Sequence, residues 1–106
     1  MPLIPPVTPD DGPVVRIGDV PVRVEVADTD ALRSRGLGGR ELLGATNGML
    51  FIFDKNDYHQ FWMKDMRIPI DILWLSDDFQ VIDFTEKVSP DSFPRVFTPA
   101  TPARFV

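Results

Sequence analysis

The stretch His59–Leu75, HQFWMKDMRIPIDILWL, decides the fold. It holds both tryptophans and the only histidine of the chain, and most of its other residues are apolar. A segment this apolar has to be buried, so the charged residues Lys64 and Asp71 within it need partners or a function. Asp65–Pro69 interrupts the apolar pattern, and we therefore predict a strand on either side of that break.

Strands separated by tight turns extend outward from this stretch. Gly18-Asp19 lies between two valine-rich runs, which favours a hairpin. The polar residues Asp54–Asp57 are predicted to form a second hairpin loop, and Ser76–Asp78 a further turn. From their apolar patterns, the predicted strands are Val14–Ile17, Val20–Val26, Met49–Phe53, Tyr58–Lys64, Ile70–Leu75 and Gln80–Val88.

A single helix interrupts the strands. Asp28 and Thr29 are helix-capping residue types, Asp30 favours a helix N-terminus, and Gly36 supplies the left-handed conformation that ends a helix. We therefore predict one short α-helix near residues 29–36. The fold class is mainly β, or α+β by strict count: a small β-barrel or a rolled antiparallel or mixed sheet with one short helix.

Length, charge and residue usage exclude several function classes. A chain of 106 residues forms one domain with one core, and its net charge of −5 argues against a nucleic-acid partner. It has no cysteine, and a single histidine is a poor basis for a zinc site. Turn chemistry explains Asp54–Asp57 and Asp77-Asp78 better than calcium binding does. We therefore predict no metal and no cofactor.

The start of the chain differs in composition from the rest. Residues 1–13, MPLIPPVTPDDGP, are proline-rich and aperiodic, so we interpret them as an extended linker before a single domain at residues 14–106. Two interpretations of this start stay open: a linker left after removal of a signal peptide or membrane anchor, or simply a disordered terminus. We accordingly favour a periplasmic, extracellular or envelope-anchored location, close to a membrane, over the cytoplasm.

Three motifs resemble a known family. They are RSRGLGGRELL at Arg33–Leu43, NGMLFIF at Asn47–Phe53, and the block at His59–Leu75. Together they resemble the bacterial and archaeal family called domain of unknown function 192 (DUF192), an uncharacterised β-rich domain. The resemblance implies a barrel-like, mostly β fold with one helix, and it implies no activity. Many members of that family carry an N-terminal signal or anchor.

The chain departs from the family pattern within the motifs and at its end. Gly38 replaces a bulkier residue, and Asp65 and Met66 stand where asparagine and threonine are common. Family members continue past the position of Val106 with closing strands, so the resemblance implies that this closing segment is absent here. We expect an open sheet edge as a result, and an open edge invites a homodimer through the C-terminal strand.

Charged residues around the glycine loop form the candidate site. Arg35 ends the predicted helix, Arg40 follows the glycine loop, and Lys64 and Asp71 bracket the break at Asp65–Pro69. In one interpretation, Lys64 and Asp71 approach each other as a structural ion pair. In the other, the basic groups bind an anionic or carboxylate ligand, because arginine pairs with such groups through two hydrogen bonds.

The two tryptophans have different expected roles. Trp74 shares a strand face with isoleucines, which predicts a core position. Trp62 has polar neighbours, so it is either a core residue or an exposed platform for a sugar or a peptide side chain. The candidate ligand-binding residues are therefore Arg35, Arg40, Trp62, Lys64, Asp65 and Asp71, and no catalytic residue is assigned.

Three functions stay open from the sequence. The leading interpretation is a small, non-catalytic domain that binds a small or extended ligand, whether anionic, peptide or sugar, in a polar cleft. The second is an enzyme in which Asp71 or Asp65 is a general base and Lys64 or an arginine stabilises an anion. The third is an assembly module that pairs with a partner through an open sheet edge.

Overall fold

A computed structural model of the protein describes residues 13–106, so the predicted linker lies outside the described residues except for Pro13. No helix in this described part is long and apolar enough to cross a membrane. In chain order the elements are β1 (Val14–Ile17), β2 (Val20–Ala27), α1 (Asp30–Arg35), β3 (Asn47–Asp57), β4 (Phe61–Trp62), β5 (Ile70–Leu75), β6 (Val81–Val88), a 3₁₀ turn (Pro90–Ser92), β7 (Val96–Phe97) and β8 (Ala103–Phe105).

Six strands form a mixed sheet in the order β1-β2-β3-β8-β5-β6, and the sheet curls into a half-barrel. The pairs β1–β2 and β5–β6 are antiparallel hairpins, whereas β2 and β3 run parallel with α1 in the connection between them. Strands β4 and β7 form a separate antiparallel ribbon. The mainly β fold class with one short helix is confirmed.

Helix α1 is short because both of its ends are capped within two turns. Its first turn begins at Thr29, whose hydroxyl accepts a hydrogen bond from the Leu32 N–H at 3.1 Å. It ends at Gly36, which has a φ of 49° and donates its N–H to the Leu32 carbonyl at 2.9 Å. A side chain at Gly36 would also meet the Phe51 ring at 3.4 Å. The predicted helix near residues 29–36 is therefore confirmed.

The prediction of a hairpin loop at Asp54–Asp57 is wrong, because β3 runs through these residues. Asp57 pairs with Ala103 of β8, a partner far away in the sequence, and this long-range pairing outweighs the polar composition of the segment. The strand predicted at Tyr58–Lys64 is shorter in the structure, because a strand forms only where a neighbouring strand is available for pairing. Only Phe61–Trp62 finds a partner, in β7.

The C-terminal strand β8 lies inside the sheet. Phe105 pairs with Ile52 of β3 on one side and with Leu75 of β5 on the other. Val106 exchanges two backbone hydrogen bonds with Phe51, at 2.9 and 3.1 Å. The strands at the edges of the sheet are β1 and β6 instead. A homodimer stays a prediction, but pairing through β8 would have to displace β3 or β5.

The core joins the half-barrel to the β4–β7 ribbon. Trp74 and Met63 have the largest fully buried side chains, and the Trp74 Nε1–H donates to the His59 carbonyl at 3.0 Å. The core position predicted for Trp74 is thus confirmed. The buried cluster takes residues from β5, β6, β8, the ribbon and its flank: Met63, Ile72, Trp74, Val88, Phe97 and Ala103.

Candidate functional site

A concave region beside α1 brings together four of the six candidate residues: Arg35, Trp62, Lys64 and Asp65. We call this concavity the cleft. Its volume is about 810 Å³, and it is lined by α1, the glycine loop Gly36–Gly39 and residues of the segment 60–66, with Phe51 and Phe53 of β3 also contributing. The cleft is open to solvent, since Arg35, Trp62, Lys64 and Asp65 are all exposed.

The glycine loop packs directly on the turn that carries Lys64 and Asp65. The Gly39 N–H donates to the Asp65 carbonyl at 2.8 Å, and Asp65 itself has a φ of 61°. A Cβ at Gly38 would lie 3.2 Å from the Arg35 carbonyl and 3.6 Å from the Asp65 Cβ. The absence of a side chain at Gly38 therefore lets the loop and the turn approach each other, and this approach forms one wall of the cleft.

Arg33 fixes α1 against β3. Its guanidinium donates to the Ile52 carbonyl and to the Asp30 carboxylate, both at 2.7 Å, and lies 5.3 Å from the centre of the Phe53 ring. These contacts tie both terminal nitrogens of Arg33 to groups of the protein, although Arg33 also lines the cleft. Arg35, one half-turn further on, forms no ion pair with a described residue, so its charge is available in the cleft.

Trp62 is exposed rather than buried in the core. Its side chain is 49% exposed, and the ammonium group of Lys64 lies 5.7 Å from the ring centre. On another side it contacts Phe93, with ring centres 5.1 Å apart and planes inclined by 53°. Of the two interpretations of Trp62, the exposed platform is the one that fits this geometry.

Arg40 is held outside the cleft by Glu25 of β2. Both terminal nitrogens of Arg40 donate to the Glu25 carboxylate, one of them at 2.9 Å. Hydrogen bonding by Arg40, together with the charges of Arg40 and Arg35, holds the pKa of Glu25 below its ordinary value of 4.5 despite the opposing effect of burial. The same hydrogen bonds raise the pKa of Arg40 above its ordinary value. Arg40 therefore stabilises the glycine loop and β2 in this structure.

Asp71 also lies away from the cleft. Its Oδ1 atom accepts the Lys87 N–H at 2.8 Å, across the β5–β6 hairpin. The predicted ion pair between Lys64 and Asp71 is not formed, because the two residues line different concavities. Proximity in sequence does not bring the two charges together, because Lys64 lies after the short strand β4 and lines the cleft, whereas Asp71 lies on β5 and is bonded to β6.

Asp71 lines a second, apolar concavity of about 680 Å³. Its walls come from β1, β2, β3, β5 and the segment 41–45, and they are mostly aliphatic. The charged residues among them are Glu41, Asp71 and Lys87. Glu41 is engaged by Arg67 at 3.1 Å.

His59 and the polar turn residues Asn56 and Asp77 have partners within the fold. His59 stacks on Phe53 with ring centres 3.6 Å apart, and its Nε2 atom lies 3.0 Å from the Lys55 carbonyl. Asn56 donates to Asp77 at 3.1 Å. Within residues 13–106, no group of three or more histidine or acidic side chains is arranged to hold a metal ion.

Two residues of the site were missed from the sequence. Phe93 lies in a proline-rich segment without periodicity, so no local pattern could place it against Trp62. Arg33 could have been found, because it stands three residues after Asp30 on the predicted helix, a spacing at which opposite charges pair.

The fold and motifs agree with one protein family. The model of the family DUF192, described as "Uncharacterized ACR, COG1430", matches residues 13–106. The chain belongs to the DUF192 family. The motif resemblance is thereby confirmed, and membership in DUF192 assigns a fold and no activity. A comparison with curated proteins gives no match.

Two solved structures are similar to this DUF192 chain. One is a protein of unknown function from Novosphingobium aromaticivorans DSM 12444, with 30% identity, a TM-score of 0.77, and coverage of 81% of this chain and 61% of that one. The other, from Sinorhizobium meliloti 1021, is described as a "putative transcription regulator", with 27% identity, a TM-score of 0.76, and coverage of 80% and 65%. The chain thus spans less than two thirds of the length of either.

Proposed function

We propose that the domain is a binding module that takes a carboxylate-bearing ligand in the cleft. The observation that supports this is that two cations, Arg35 and Lys64, line one concavity with the exposed ring of Trp62, and the Lys64 ammonium group lies over that ring. A guanidinium offers two parallel N–H donors to a carboxylate, and an ammonium group adds a point charge. Trp62 offers a flat face for the apolar part of the same ligand.

The other polar groups of the cleft favour an anion over a cation. Asp30, the acidic residue on α1, is already engaged by Arg33, so its charge is compensated. Asp65 is the other acidic residue that lines the cleft with Arg35 and Lys64, and its carboxylate can accept a hydrogen bond from a ligand hydroxyl or amide. The chain as a whole has a net charge of −5, which opposes nucleic acid and gives no support for DNA binding of the kind that a transcription regulator needs.

The two tryptophans make the proposal testable without a label. Trp74 is fully buried with its indole N–H bonded to His59, whereas Trp62 is half-exposed in the cleft, so a ligand there should shift only the Trp62 indole signal in ¹H–¹⁵N spectra. The probes are acetyl-Glu-amide and galacturonate, each paired with its neutral counterpart, acetyl-Gln-amide and galactose. We expect the acidic probes to shift the Trp62 signal and the neutral ones to leave it in place.

Charge-neutralising variants locate the site. Lys64→Gln and Arg35→Gln should each weaken binding of acidic probes by about tenfold, which corresponds to about 1.4 kcal/mol for one charge-assisted contact. Lys87→Gln removes the same charge from the other concavity and should leave binding unchanged. Equal losses in all three variants, or no response of Trp62 to any acidic probe, would refute binding in the cleft.

A further inference from the structure

The outer face of the β4–β7 ribbon carries an exposed apolar surface. It consists of Trp62, Phe93 and Val96, whose side chains are 49%, 43% and 45% exposed. Trp62 and Val96 are directly paired across the ribbon, and Phe93 contacts the Trp62 ring from the segment before β7. We call these three residues the apolar platform. Neighbouring exposed apolar side chains of this size are typical of an interaction site.

The apolar platform is continuous with the cleft. Trp62 belongs to both, and Lys64 lines the cleft while its ammonium group lies over the same indole ring. One ligand can therefore contact the cations and the apolar platform at once. The distances between these groups are short: 5.7 Å from the Lys64 Nζ to the Trp62 ring centre, and 5.1 Å from the Trp62 ring centre to the Phe93 ring centre.

From this continuity we infer that the occupant of the cleft is an extended acidic peptide segment of another protein, with an apolar side chain two residues from its acidic one. This inference rests on the proposed binding of carboxylates in the cleft. In an extended chain, side chains at positions i and i+2 lie on one face and are about 6.6–6.8 Å apart. That spacing puts a glutamate on Lys64 and Arg35 while an aliphatic side chain packs on Trp62 and Phe93.

The shape and polarity of the apolar platform favour a peptide over a carbohydrate. Sugars stack on a flat ring and need hydrogen-bonding groups around it for their hydroxyls. Here the Phe93 ring is inclined by 53° to the Trp62 ring, so the two rings together make an angled recess beside the indole face. Val96 and Phe93 supply no hydrogen-bonding side chain. An aliphatic side chain fits such a recess and leaves no polar group unsatisfied.

The test compares peptides that differ only in the acid, the apolar residue or the spacing. The main probe is acetyl-Ser-Glu-Ser-Leu-Ser-amide. Its controls replace Glu by Gln, replace Leu by Ser, or move Leu next to Glu, and an oligogalacturonate trimer represents an acidic glycan. Dissociation constants are measured from indole and backbone shifts in ¹H–¹⁵N spectra. We expect the main probe to bind at least about fivefold tighter than each control and than acetyl-Glu-amide, because only it buries a leucine beside a bound carboxylate.

Variants separate the two contacts. Phe93→Ala should reduce binding of the pentapeptide to the level of the peptide without leucine, and it should leave binding of acetyl-Glu-amide unchanged. Lys64→Gln should weaken both. Phe84→Ala is the matched control, because Phe84 is also an exposed phenylalanine, 57% against 43% for Phe93, but lies on the sheet edge β6. Retained chemical-shift dispersion shows that each variant is folded.

The outcomes distinguish failure of the peptide inference from failure of carboxylate binding. If acetyl-Glu-amide binds but the pentapeptide binds no tighter, the peptide inference is wrong and carboxylate binding stands. A trimer of galacturonate that binds tighter than the pentapeptide, with loss on Phe93→Ala, would also overturn the peptide inference in favour of a glycan. If no acidic probe binds, both proposals fall. Binding that follows the acid, the leucine and their spacing supports the peptide.

Discussion

At the scale of single residues, charged side chains of one type have quite different roles according to the partners that the fold gives them. Arg33, Arg35 and Arg40 are close in sequence, yet Arg33 binds α1 to β3, Arg40 binds β2 through Glu25, and Arg35 has no ion-pair partner among residues 13–106. The arginine that is left without a partner is the one that can bind a ligand. The best candidates for recognition are thus the charges that the structure does not itself use.

The pair of Arg40 and Glu25 predicts a pH-dependent contribution to stability. Because the pKa of Glu25 is lower in the folded state than its ordinary value of 4.5, the contribution is complete above pH 4.5 and is lost as the pH falls through the folded-state pKa. Glu25→Gln should lower the free energy of unfolding at pH 7 by about 0.5 kcal/mol, since both side chains of the pair are partly exposed to solvent. At pH 3 the difference from the native sequence should be smaller.

Urea denaturation at pH 7 and pH 3 measures this effect. Glu86→Gln is the matched control, because Glu86 is exposed on β6 and has no ion pair among the described residues. A Glu25→Gln deficit that stays constant between the two pH values, or one shared by Glu86→Gln, would show that the Arg40 pair is not its source.

At the scale of elements, the β5–β6 hairpin contains an irregularity that explains Asp71. Ile70 pairs with Val88 but Ile72 pairs with Thr85, so two residues of β6 lie opposite Asp71. Lys87, one of these two, has a φ of 51°, and its N–H is satisfied by the Asp71 carboxylate at 2.8 Å. Asp71 therefore replaces a missing strand-to-strand hydrogen bond at a β-bulge.

This account predicts different effects for two substitutions of Asp71. Asp71→Ala removes the acceptor and should lower the free energy of unfolding by about 1 kcal/mol. Asp71→Asn keeps an oxygen that can accept the Lys87 N–H, so it should cost less than half as much. Urea denaturation measures both, and acetyl-Glu-amide binding should be the same in both, because Asp71 does not line the cleft. Lost binding with an intact fold would restore Asp71 as a site residue.

At the scale of the whole molecule, the features that could be predicted from the sequence are those set by residues close together in the chain. The caps of α1, the turn at Gly18-Asp19 and the core position of Trp74 follow from residue types and periodicity, and the structure agrees. The length of β3 and the central place of β8 depend on pairing between distant residues, which no local pattern contains. The residues of the candidate site also fall into a group that the structure brings together and a group that it does not. Four residues meet because the glycine loop packs on the turn at Asp65, whereas Arg40 and Asp71 are engaged by other elements.

The same core holds the half-barrel and the β4–β7 ribbon together, and this determines how the domain unfolds. Met63 follows β4 directly, is fully buried, and packs in one cluster with Ile72 and Trp74 of β5 and with Phe97 of β7. Since one cluster contains residues from both sheets, we expect a single cooperative transition in which the ribbon and the half-barrel unfold together.

Met63→Ala tests this coupling. Truncating a fully buried methionine should lower the free energy of unfolding by about 3 kcal/mol. The indole signals of Trp62 and Trp74 report on the ribbon and the half-barrel separately, and with increasing urea both should disappear at the same, lower midpoint. Met49→Ala, at a half-buried position on β3, should cost less. Loss of the Trp62 signal at a lower urea concentration than that of Trp74 would mean that the ribbon opens on its own.

Because the apolar platform lies on the ribbon and part of the cleft on α1, a ribbon that opened alone would also separate the two surfaces that a peptide has to contact together.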